Sequence, residues 1–223
     1  MSSWKFRLTN AIIKSVMSLV ARADMTQLDQ VPKTGPLILV SNHINFMEIP
    51  LVFTHLQPRP VTGFAKAETW DSPFIGPLFT LWGGIPLKRG EADLAAIKKG
   101  VEILQKGHIL AIAPEGTRSN TGILQQGQPG ITMLALHSGA PMQPLVYFGS
   151  EDYKNSVRRL RRVDFHVVVG PIFRLKQPTG RVTHEIRQEM VNEIMYQLAR
   201  LLPEKYRGEY SDLSKASTNH LIF

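Results

Sequence analysis

Short apolar runs alternate with longer amphipathic stretches along most of the chain. The clearest run is Leu37-Ile38-Leu39-Val40, which Gly35-Pro36 precedes and polar residues break directly afterwards. A short apolar run with such bounds predicts a buried strand. Similar runs predict further strands over residues 61–65, 83–89, 109–113, 144–148 and 165–169. Apolar stripes at helical spacing predict helices over residues 49–56, 91–106, 130–138 and 183–201. This alternation predicts an α/β fold, a single domain with a central mixed, largely parallel sheet flanked by helices.

Residues 1–34 are predicted to form an N-terminal amphipathic helix and a linker. Within residues 3–23, apolar residues recur on one side of the predicted helix, namely Trp4, Leu8, Ile12, Val16, Leu19 and Val20. Polar and basic residues lie on the other side, namely Arg7, Lys14, Ser18 and Arg22. Such a helix either lies in a membrane interface or packs its apolar face on the domain. No apolar run approaches the roughly 20 residues that span a bilayer. Ala21-Arg22-Ala23 is similar to a signal-peptidase site, but Lys14 interrupts the region before it, so we expect no cleaved signal.

The composition narrows the classes of function. The chain has 223 residues, a formal net charge of +8 at pH 7 and no cysteine. Its length fits one domain, which we place at residues 35–210, followed by a C-terminal tail over 211–223 that we expect to be loose. The charge favours an anionic partner, which is a nucleic acid, an anionic membrane surface or a phosphorylated substrate. The absence of cysteine excludes disulfides, thiolate metal sites and a cysteine nucleophile.

Four arginines occupy five positions in Arg158-Arg159-Leu160-Arg161-Arg162. Such a cluster is typical of nucleic-acid binding or of a solvated basic segment. No aromatic residues interleave with it to stack on bases, so we expect no nucleic-acid partner. A basic segment of this kind suits anionic lipid headgroups or an acyl carrier.

A histidine and a glutamate follow the first predicted strand. His43 lies where the strand opens into a loop, and Glu48 comes five residues later. Strand ends are where open α/β sheets place their chemistry, and a carboxylate near an imidazole sets its tautomer and stabilises its charged form. The alternative is that His43 caps a helix and that Glu48 is an acidic residue in its first turn.

Three further blocks follow in order. They are Gly84-Ile85-Pro86-Leu87-Lys88-Arg89, Pro114-Glu115-Gly116-Thr117-Arg118-Ser119 and Ala140-Pro141-Met142-Gln143-Pro144-Leu145. With His43, this set resembles the glycerolipid acyltransferase family of 1-acylglycerol-3-phosphate acyltransferases, whose pattern is N-H-x-x-x-x-D, G-x-I-x-x-x-R, P-E-G-T-R-S and V-P-x-x-P. The resemblance runs from Gly35 to about Gly208. One departure is that Glu48 stands where the family has Asp, which gives H-x4-E in place of H-x4-D.

The resemblance implies a membrane-associated O-acyltransferase of phospholipid biosynthesis. It implies acyl-CoA or acyl-carrier protein as co-substrate, a lysophospholipid as acceptor, foremost 1-acylglycerol-3-phosphate, and a place on the cytoplasmic face of the membrane. His43 is then the general base and Glu48 its carboxylate partner. The substrate phosphate would be bound by residues of two blocks, namely Lys88, Arg89, Glu115, Gly116, Thr117 and Arg118. The alternatives are that Arg89 is a surface residue and that Glu115 and Arg118 form a structural ion pair.

Other observations keep alternatives open. Gln125-Gln126-Gly127-Gln128 stands where many relatives carry Phe-Lys-x-Gly, so one lysine of the acceptor site is absent. Two other functions stay open. The protein is either a non-catalytic or altered-specificity lipid-binding relative, or a hydrolase of thioesters or lysolipids. No G-x-S-x-G motif occurs and the other histidines are scattered, so we expect no acyl-enzyme, metal or cofactor. The apolar segment 70–79 is either core or part of an acyl-chain surface.

Overall fold

The structure, a computed structural model, describes residues 4–87 and 93–223. A mixed sheet forms the centre of this part, in the order β1-β7-β6-β2-β5-β3-β4. Its strands are β1 (Ala21–Ala23), β2 (Leu37–Ser41), β3 (Val61–Lys66), β4 (Ile85–Leu87), β5 (Ile109–Ile112), β6 (Met142–Phe148) and β7 (Val163–Val169). Neighbours from β6 to β4 run parallel, β7 is antiparallel to β6, and β1 is parallel to β7. The predicted mixed, largely parallel sheet is confirmed.

Helices cover both faces of the sheet. They are α1 (Trp4–Val20), α2 (Glu48–His55), α3 (Ile75–Leu81), α4 (Leu94–Gln105), α5 (Gly130–Ser138), α6 (Tyr153–Arg158) and α7 (His184–Leu201). Leu37 and Leu39 of β2 pack into one apolar cluster, with side chains of α1 and α2. Ile38 and Val40 pack into a second cluster on the opposite face, with side chains of α4, α5 and α7. Successive side chains of a strand point to opposite faces, which is why a strand buried on both sides is apolar throughout.

The local signals that end and begin helices agree with the structure. Gly107 follows α4 with a φ of +76°, a conformation that favours glycine and closes the helix. Gly139 follows α5 with a φ of +60°. The Thr183 side chain accepts a hydrogen bond from the Ile186 N–H at 3.3 Å and so caps α7. The predicted strand over 83–89 is observed as β4, and its last two residues lie outside the described part.

Helix α1 packs on the domain with a face that the sequence pattern did not predict. Its buried residues are Asn10 and Met17, and Phe6 and Ile13 pack beside them against the same cluster as α2. The Trp82 indole N–H donates to Asn10 Oδ1 at 3.0 Å and holds the helix against the domain. Most of the predicted apolar stripe points outward instead, with Trp4 69%, Leu8 51%, Ile12 55%, Val16 50% and Leu19 76% exposed, whereas its last member, Val20, packs against the cluster. The structure therefore does not show the packing of this stripe on the domain. Among the helices that the structure describes, none is long and apolar enough to cross a membrane.

The segment 70–79 is divided between core and surface. Phe79 is 6% exposed and lies edge-to-face against Trp70 at a ring separation of 5.9 Å. Phe74, in the same segment, is 87% exposed. Phe79 therefore belongs to the core, whereas Phe74 lies on the surface.

The C-terminal tail is packed, which corrects the expectation of a loose segment. Strand β9 (Leu221–Ile222) pairs antiparallel with β8 (Arg174–Leu175), and Leu221 is 4% exposed. Glu193 of α7 is 2% exposed, and its carboxylate accepts hydrogen bonds from the Ser217 hydroxyl and from the N–H groups of Asn219 and His220 at 2.7–2.8 Å. Apolar periodicity gives no sign of this contact, because it depends on one buried carboxylate and on backbone donors distant in sequence.

Candidate active site

Three parallel strands end at the same edge of the sheet and bring their loops together. Strand β2 leads into His43, β5 leads into the segment 114–119, and β6 leads into Ser150. Strand β2 lies between β5 and β6, so the chain crosses over β2 on its way from β5 to β6. A crossover of this kind leaves a crevice at the carboxyl ends of the strands, where open α/β sheets bind their ligands.

His43 and Glu48 form a hydrogen-bonded pair at this edge. His43 Nδ1 lies 3.2 Å from Glu48 Oε2, and the side chains are 22% and 3% exposed. The other oxygen, Glu48 Oε1, accepts hydrogen bonds from the N–H groups of Ile44 at 2.5 Å and Asn45 at 2.8 Å. Glu48 is also the first residue of α2. The carboxylate therefore pairs with the imidazole and caps the turn before the helix, so the two sequence-based alternatives for Glu48 describe one arrangement.

This pairing determines which nitrogen of His43 can act as a base. Donation from Nδ1 to an ionised Glu48 places the proton of neutral imidazole on Nδ1 and leaves the lone pair on Nε2. Nε2 forms no hydrogen bond with residues 4–87 or 93–223. The buried carboxylate would stabilise the imidazolium once Nε2 takes up a proton. The arrangement suits abstraction of a proton from a hydroxyl group.

Two asparagines anchor the loop that carries His43, and the sequence reasoning did not identify them as functional. The Asn42 side chain donates to the Tyr147 carbonyl at 2.9 Å and accepts from the Tyr147 N–H at 2.8 Å. The Asn45 side chain donates to the Ser150 carbonyl at 2.8 Å. Asn42 is part of the N-H-x-x-x-x-D pattern, which was its only signal. Asn45 gave none, because its partner is 105 residues away in the sequence.

The segment after β5 lies directly against the His43 loop. Glu115 is 4% exposed, and its two oxygens accept from the N–H groups of His43 at 2.9 Å and Gln125 at 3.0 Å. Glu115 and Arg118 form no ion pair, so the structure does not support that alternative. Gly116 has a φ of +68°, which favours glycine at this turn. Thr117 and Arg118 are exposed.

The remaining candidates of the phosphate site are Lys88 and Arg89. Both lie outside the described residues. The structure thus brings His43, Glu48 and the segment from Glu115 to Arg118 to one edge of the sheet.

Burial dominates the electrostatics of Glu115. The pKa of the Glu115 carboxyl is raised to about 7, chiefly by burial; the N–H groups of Gln125 and His43 lower it, and the charge of Glu48 adds to the rise. The same two hydrogen bonds favour the ionised form, because a carboxylate accepts from both donors.

A cavity of about 490 Å³ adjoins the segment that carries Glu115. Polar side chains among its lining residues are Glu115, Thr117, Gln125, Gln126, Gln128 and Glu209. No lysine or arginine is among the described residues that line it. Within the same described part, no group of three histidine, aspartate or glutamate side chains is arranged to hold a metal ion.

Comparison with known proteins identifies the family. The model of the Acyltransferase family matches residues 22–148, which include the His43–Glu48 pair and the segment from Glu115 to Arg118. The chain belongs to the acyltransferase family. The resemblance stated from the four sequence blocks is confirmed.

Several curated relatives are acyltransferases of glycerolipids. The chain is 25% identical to a 1-acyl-sn-glycerol-3-phosphate acyltransferase of Pseudomonas aeruginosa over 88% of this chain and 76% of that protein. It is 29% identical to the chloroplastic enzyme BAT2 of Brassica napus, over 58% of this chain and 38% of that one. It is 32% identical to a lyso-ornithine lipid O-acyltransferase of P. aeruginosa, over 49% and 42%. The alignments span 38% and 52% of the lengths of the first two curated relatives.

A solved acyltransferase has the same fold. The crystal structure of the 1-acyl-sn-glycerophosphate acyltransferase PlsC from Thermotoga maritima superimposes with a TM-score of 0.64. The match covers 88% of this chain and 78% of that one at 21% identity. It confirms the α/β architecture and, at this identity, shows the fold alone.

Proposed function

We propose that the protein is an O-acyltransferase that transfers an acyl group from a thioester, acyl-CoA or acyl-carrier protein, to the hydroxyl of a lysophospholipid. The acceptor that the relatives favour is 1-acylglycerol-3-phosphate. The observation that carries the proposal is the contact of 3.2 Å between His43 Nδ1 and the buried Glu48 carboxylate. This contact supports a functional pair over a decayed one, since the longer side chain of Glu48 reaches the imidazole and also caps the adjacent turn.

His43 acts as general base in the proposed reaction. Its Nε2 takes the proton of the acceptor hydroxyl as the oxygen attacks the thioester carbonyl, and the carbonyl oxygen becomes an oxyanion. Glu48 stabilises the imidazolium during this step. Collapse of the tetrahedral intermediate breaks the carbon–sulfur bond, and the proton on Nε2 passes to the leaving thiolate. The products are the acylated lipid and the free thiol.

The phosphate of the acceptor is assigned to the exposed residues beside this pair. Arg118 can bind two phosphate oxygens at once, and the Thr117 hydroxyl can add a hydrogen bond. Gly116 allows the backbone to come close to the ligand. Lys88 and Arg89 belong to the proposed ligand set by family resemblance. Arg118 is exposed and forms no hydrogen bond or ion pair with the described residues, so it is available to an incoming anion.

A second acceptor is favoured by one relative and by the cavity beside Glu115. The lyso-ornithine lipid O-acyltransferase relative is named for an acceptor that carries an amino group. The cavity lining includes the Glu209 carboxylate and three glutamine amides, which suit hydrogen-bond donors better than a phosphate dianion. A lysolipid with an amine headgroup is therefore the alternative acceptor.

We assign the membrane surface as the place where the reaction occurs, on its cytoplasmic face. The exposed stripe of α1, formed by Trp4, Leu8, Ile12, Val16 and Leu19, supports a peripheral interaction with the bilayer interface. Lys14 and Arg7 flank the stripe and would attract anionic headgroups.

The function is tested by supplying each thioester donor with each acceptor and detecting the acylated lipid by mass spectrometry. The proposal expects product only with an acceptor hydroxyl present and expects loss of product in His43→Ala. Release of free fatty acid at a rate that acceptors do not change would identify a hydrolase instead. Product from lyso-ornithine lipid but not from 1-acylglycerol-3-phosphate would select the second acceptor.

The membrane contact is tested by co-sedimentation with vesicles that contain anionic lipid. Leu8→Glu with Ile12→Glu should reduce binding by about tenfold or more, because each apolar side chain of this size contributes about 1.5–3 kcal/mol when fully buried. Ala11→Glu is the matched control, since Ala11 is exposed on the same helix outside the stripe. Equal binding by the stripe variant and the control would exclude this surface.

A further inference from the structure

Both backbone polar groups of His43 are bonded to the segment that follows β5. The His43 N–H donates to Glu115 Oε1 at 2.9 Å, and the His43 carbonyl accepts from the Ser119 N–H at 2.8 Å. The Ile44 carbonyl accepts from the Asn120 N–H at 3.1 Å. The position of the imidazole therefore depends on residues about 70 positions later in the chain.

Glu115 is the only side chain among these contacts, and both of its oxygens have a backbone donor. Oε1 accepts from His43, and Oε2 accepts from the Gln125 N–H at 3.0 Å. The residue is 4% exposed and forms no ion pair with its neighbour Arg118. We name this pair of hydrogen bonds the Glu115 bridge. It joins the His43 loop to the segment at Gln125, and so connects the proposed base to one wall of the cavity.

We propose that Glu115 is a positioning residue whose carboxylate aims the His43 imidazole through the Glu115 bridge, and that it acts on catalysis through His43 instead of through a contact with the acceptor. The inference rests on the proposed function, because an orientation of His43 matters to turnover only if His43 is the base. Loss of the bridge lets the loop move, and a misplacement of about 1 Å can lower turnover by about 100-fold.

A second readout comes from the proton equilibrium of the carboxyl. With its pKa raised to about 7 by burial, Glu115 changes from neutral to ionised near neutral pH. Only the ionised form accepts from both N–H groups without turning one oxygen into a donor. The groups that face it are His43 and Glu48 on the loop and α2, and Glu209 and Tyr210 on the C-terminal segment. Turnover in the wild type should therefore rise as Glu115 loses its proton.

The experiment compares Glu115→Gln and Glu115→Asp with Glu102→Gln. Glutamine keeps the size of the side chain but turns an N–H donor toward one of the two backbone donors. Aspartate keeps the charge but is one methylene too short to reach both. Glu102 is an exposed glutamate of α4 that lies outside the cavity and the His43 loop, which makes its variant the control for loss of one carboxylate. For each protein, kcat and the acceptor KM are measured from pH 5.5 to 8.5, with amide hydrogen exchange of segments 41–49 and 123–128 by mass spectrometry.

The expected result for Glu115→Gln is a fall in kcat of about 10- to 100-fold with an acceptor KM within about twofold of wild type. Exchange in both segments should rise, and the rise in turnover near pH 7 should lose its Glu115 component. Glu102→Gln should change neither exchange nor kcat. A raised KM with kcat and exchange retained would overturn the proposal and make Glu115 an acceptor ligand.

The exchange measurement separates this proposal from the proposed function. If the wild type transfers no acyl group, the function fails, while faster exchange in Glu115→Gln still supports the bridge. If transfer occurs but exchange is unchanged in both Glu115 variants, the bridge fails alone. If Glu115→Gln does not fold, Glu115→Asp decides, and unchanged exchange and kcat in that variant would overturn the inference.

Discussion

The two loops at the carboxyl edge of the sheet differ in how completely they are bonded before any substrate arrives. In the loop from Asn42 to Glu48, the imidazole, the carboxylate and both backbone groups of His43 have partners within the protein. In the turn from Gly116 to Arg118, the side chains are exposed and Arg118 has no partner among the described residues. A base must be aimed before the reaction, whereas a phosphate ligand needs to be reachable from solvent. The difference indicates that the groups proposed for proton transfer are preorganised, and that those proposed for phosphate binding are completed by the substrate.

Among substitutions in the preorganised loop, His43→Ala should have the largest effect on turnover. Loss of a positioned base should lower kcat by about 10²- to 10⁴-fold, and the acceptor KM should change little. Steady-state kinetics with a thiol-detecting assay measure both values. A variant with wild-type turnover would remove His43 from the mechanism.

Shortening Glu48 tests whether the loop is shaped for glutamate. In Glu48→Asp the carboxylate withdraws by one methylene, so it cannot keep the 3.2 Å contact with His43 together with both N–H contacts. Turnover should fall by about tenfold or more. Higher activity than wild type would instead show that this position has decayed from an ancestral aspartate.

A substitution in the turn from Gly116 to Arg118 should change acceptor binding and leave turnover nearly constant. Arg118→Ala should raise the KM for a phosphate acceptor by about 5- to 10-fold with kcat nearly constant, because a charged hydrogen bond near the surface is lost. Arg181→Ala is the control, since it removes an exposed arginine from another part of the chain. Equal effects of the two variants would indicate general attraction by the net charge of +8.

The last prediction concerns a different quantity, the dependence of the free energy of unfolding on pH. The pKa of Glu115 is raised in the folded protein to about 7 from the ordinary value of 4.5, so the folded state binds this proton more tightly than the unfolded state. The stability that this group contributes is complete below about pH 4.5 and is lost as the pH rises through about 7. Between these values, the free energy of unfolding of Glu115→Gln should fall by less than that of the wild type, with a difference on the order of 3 kcal/mol. Urea unfolding at each pH measures both, and parallel curves would contradict the raised pKa.

The elements that are predictable from sequence are those encoded locally. The apolar run of β2, the stripe of α7 and the glycine after α4 each carry their signal within a few residues. The pairing of His43 with Glu48 is of the same kind, because five residues separate the partners. Family resemblance located the segment after β5 but gave no geometry for it.

The features that escaped prediction depend on contacts between distant residues. Asn45 with Ser150 and Glu115 with His43 are pairs 105 and 72 positions apart, and neither makes a periodic pattern. The direction of α1 escaped for another reason. Both the outward stripe and the packed face are apolar, and contacts with distant residues, such as the hydrogen bond from the Trp82 indole to Asn10, distinguish them.

The buried carboxylate of Glu193 has a practical consequence for handling the protein. Its three donors all lie between Ser217 and His220, so trimming by a carboxypeptidase or deletion of the last seven residues would remove all three hydrogen bonds from this carboxylate. Such an uncompensated charge costs on the order of 3 kcal/mol, a large share of the stability of an ordinary domain.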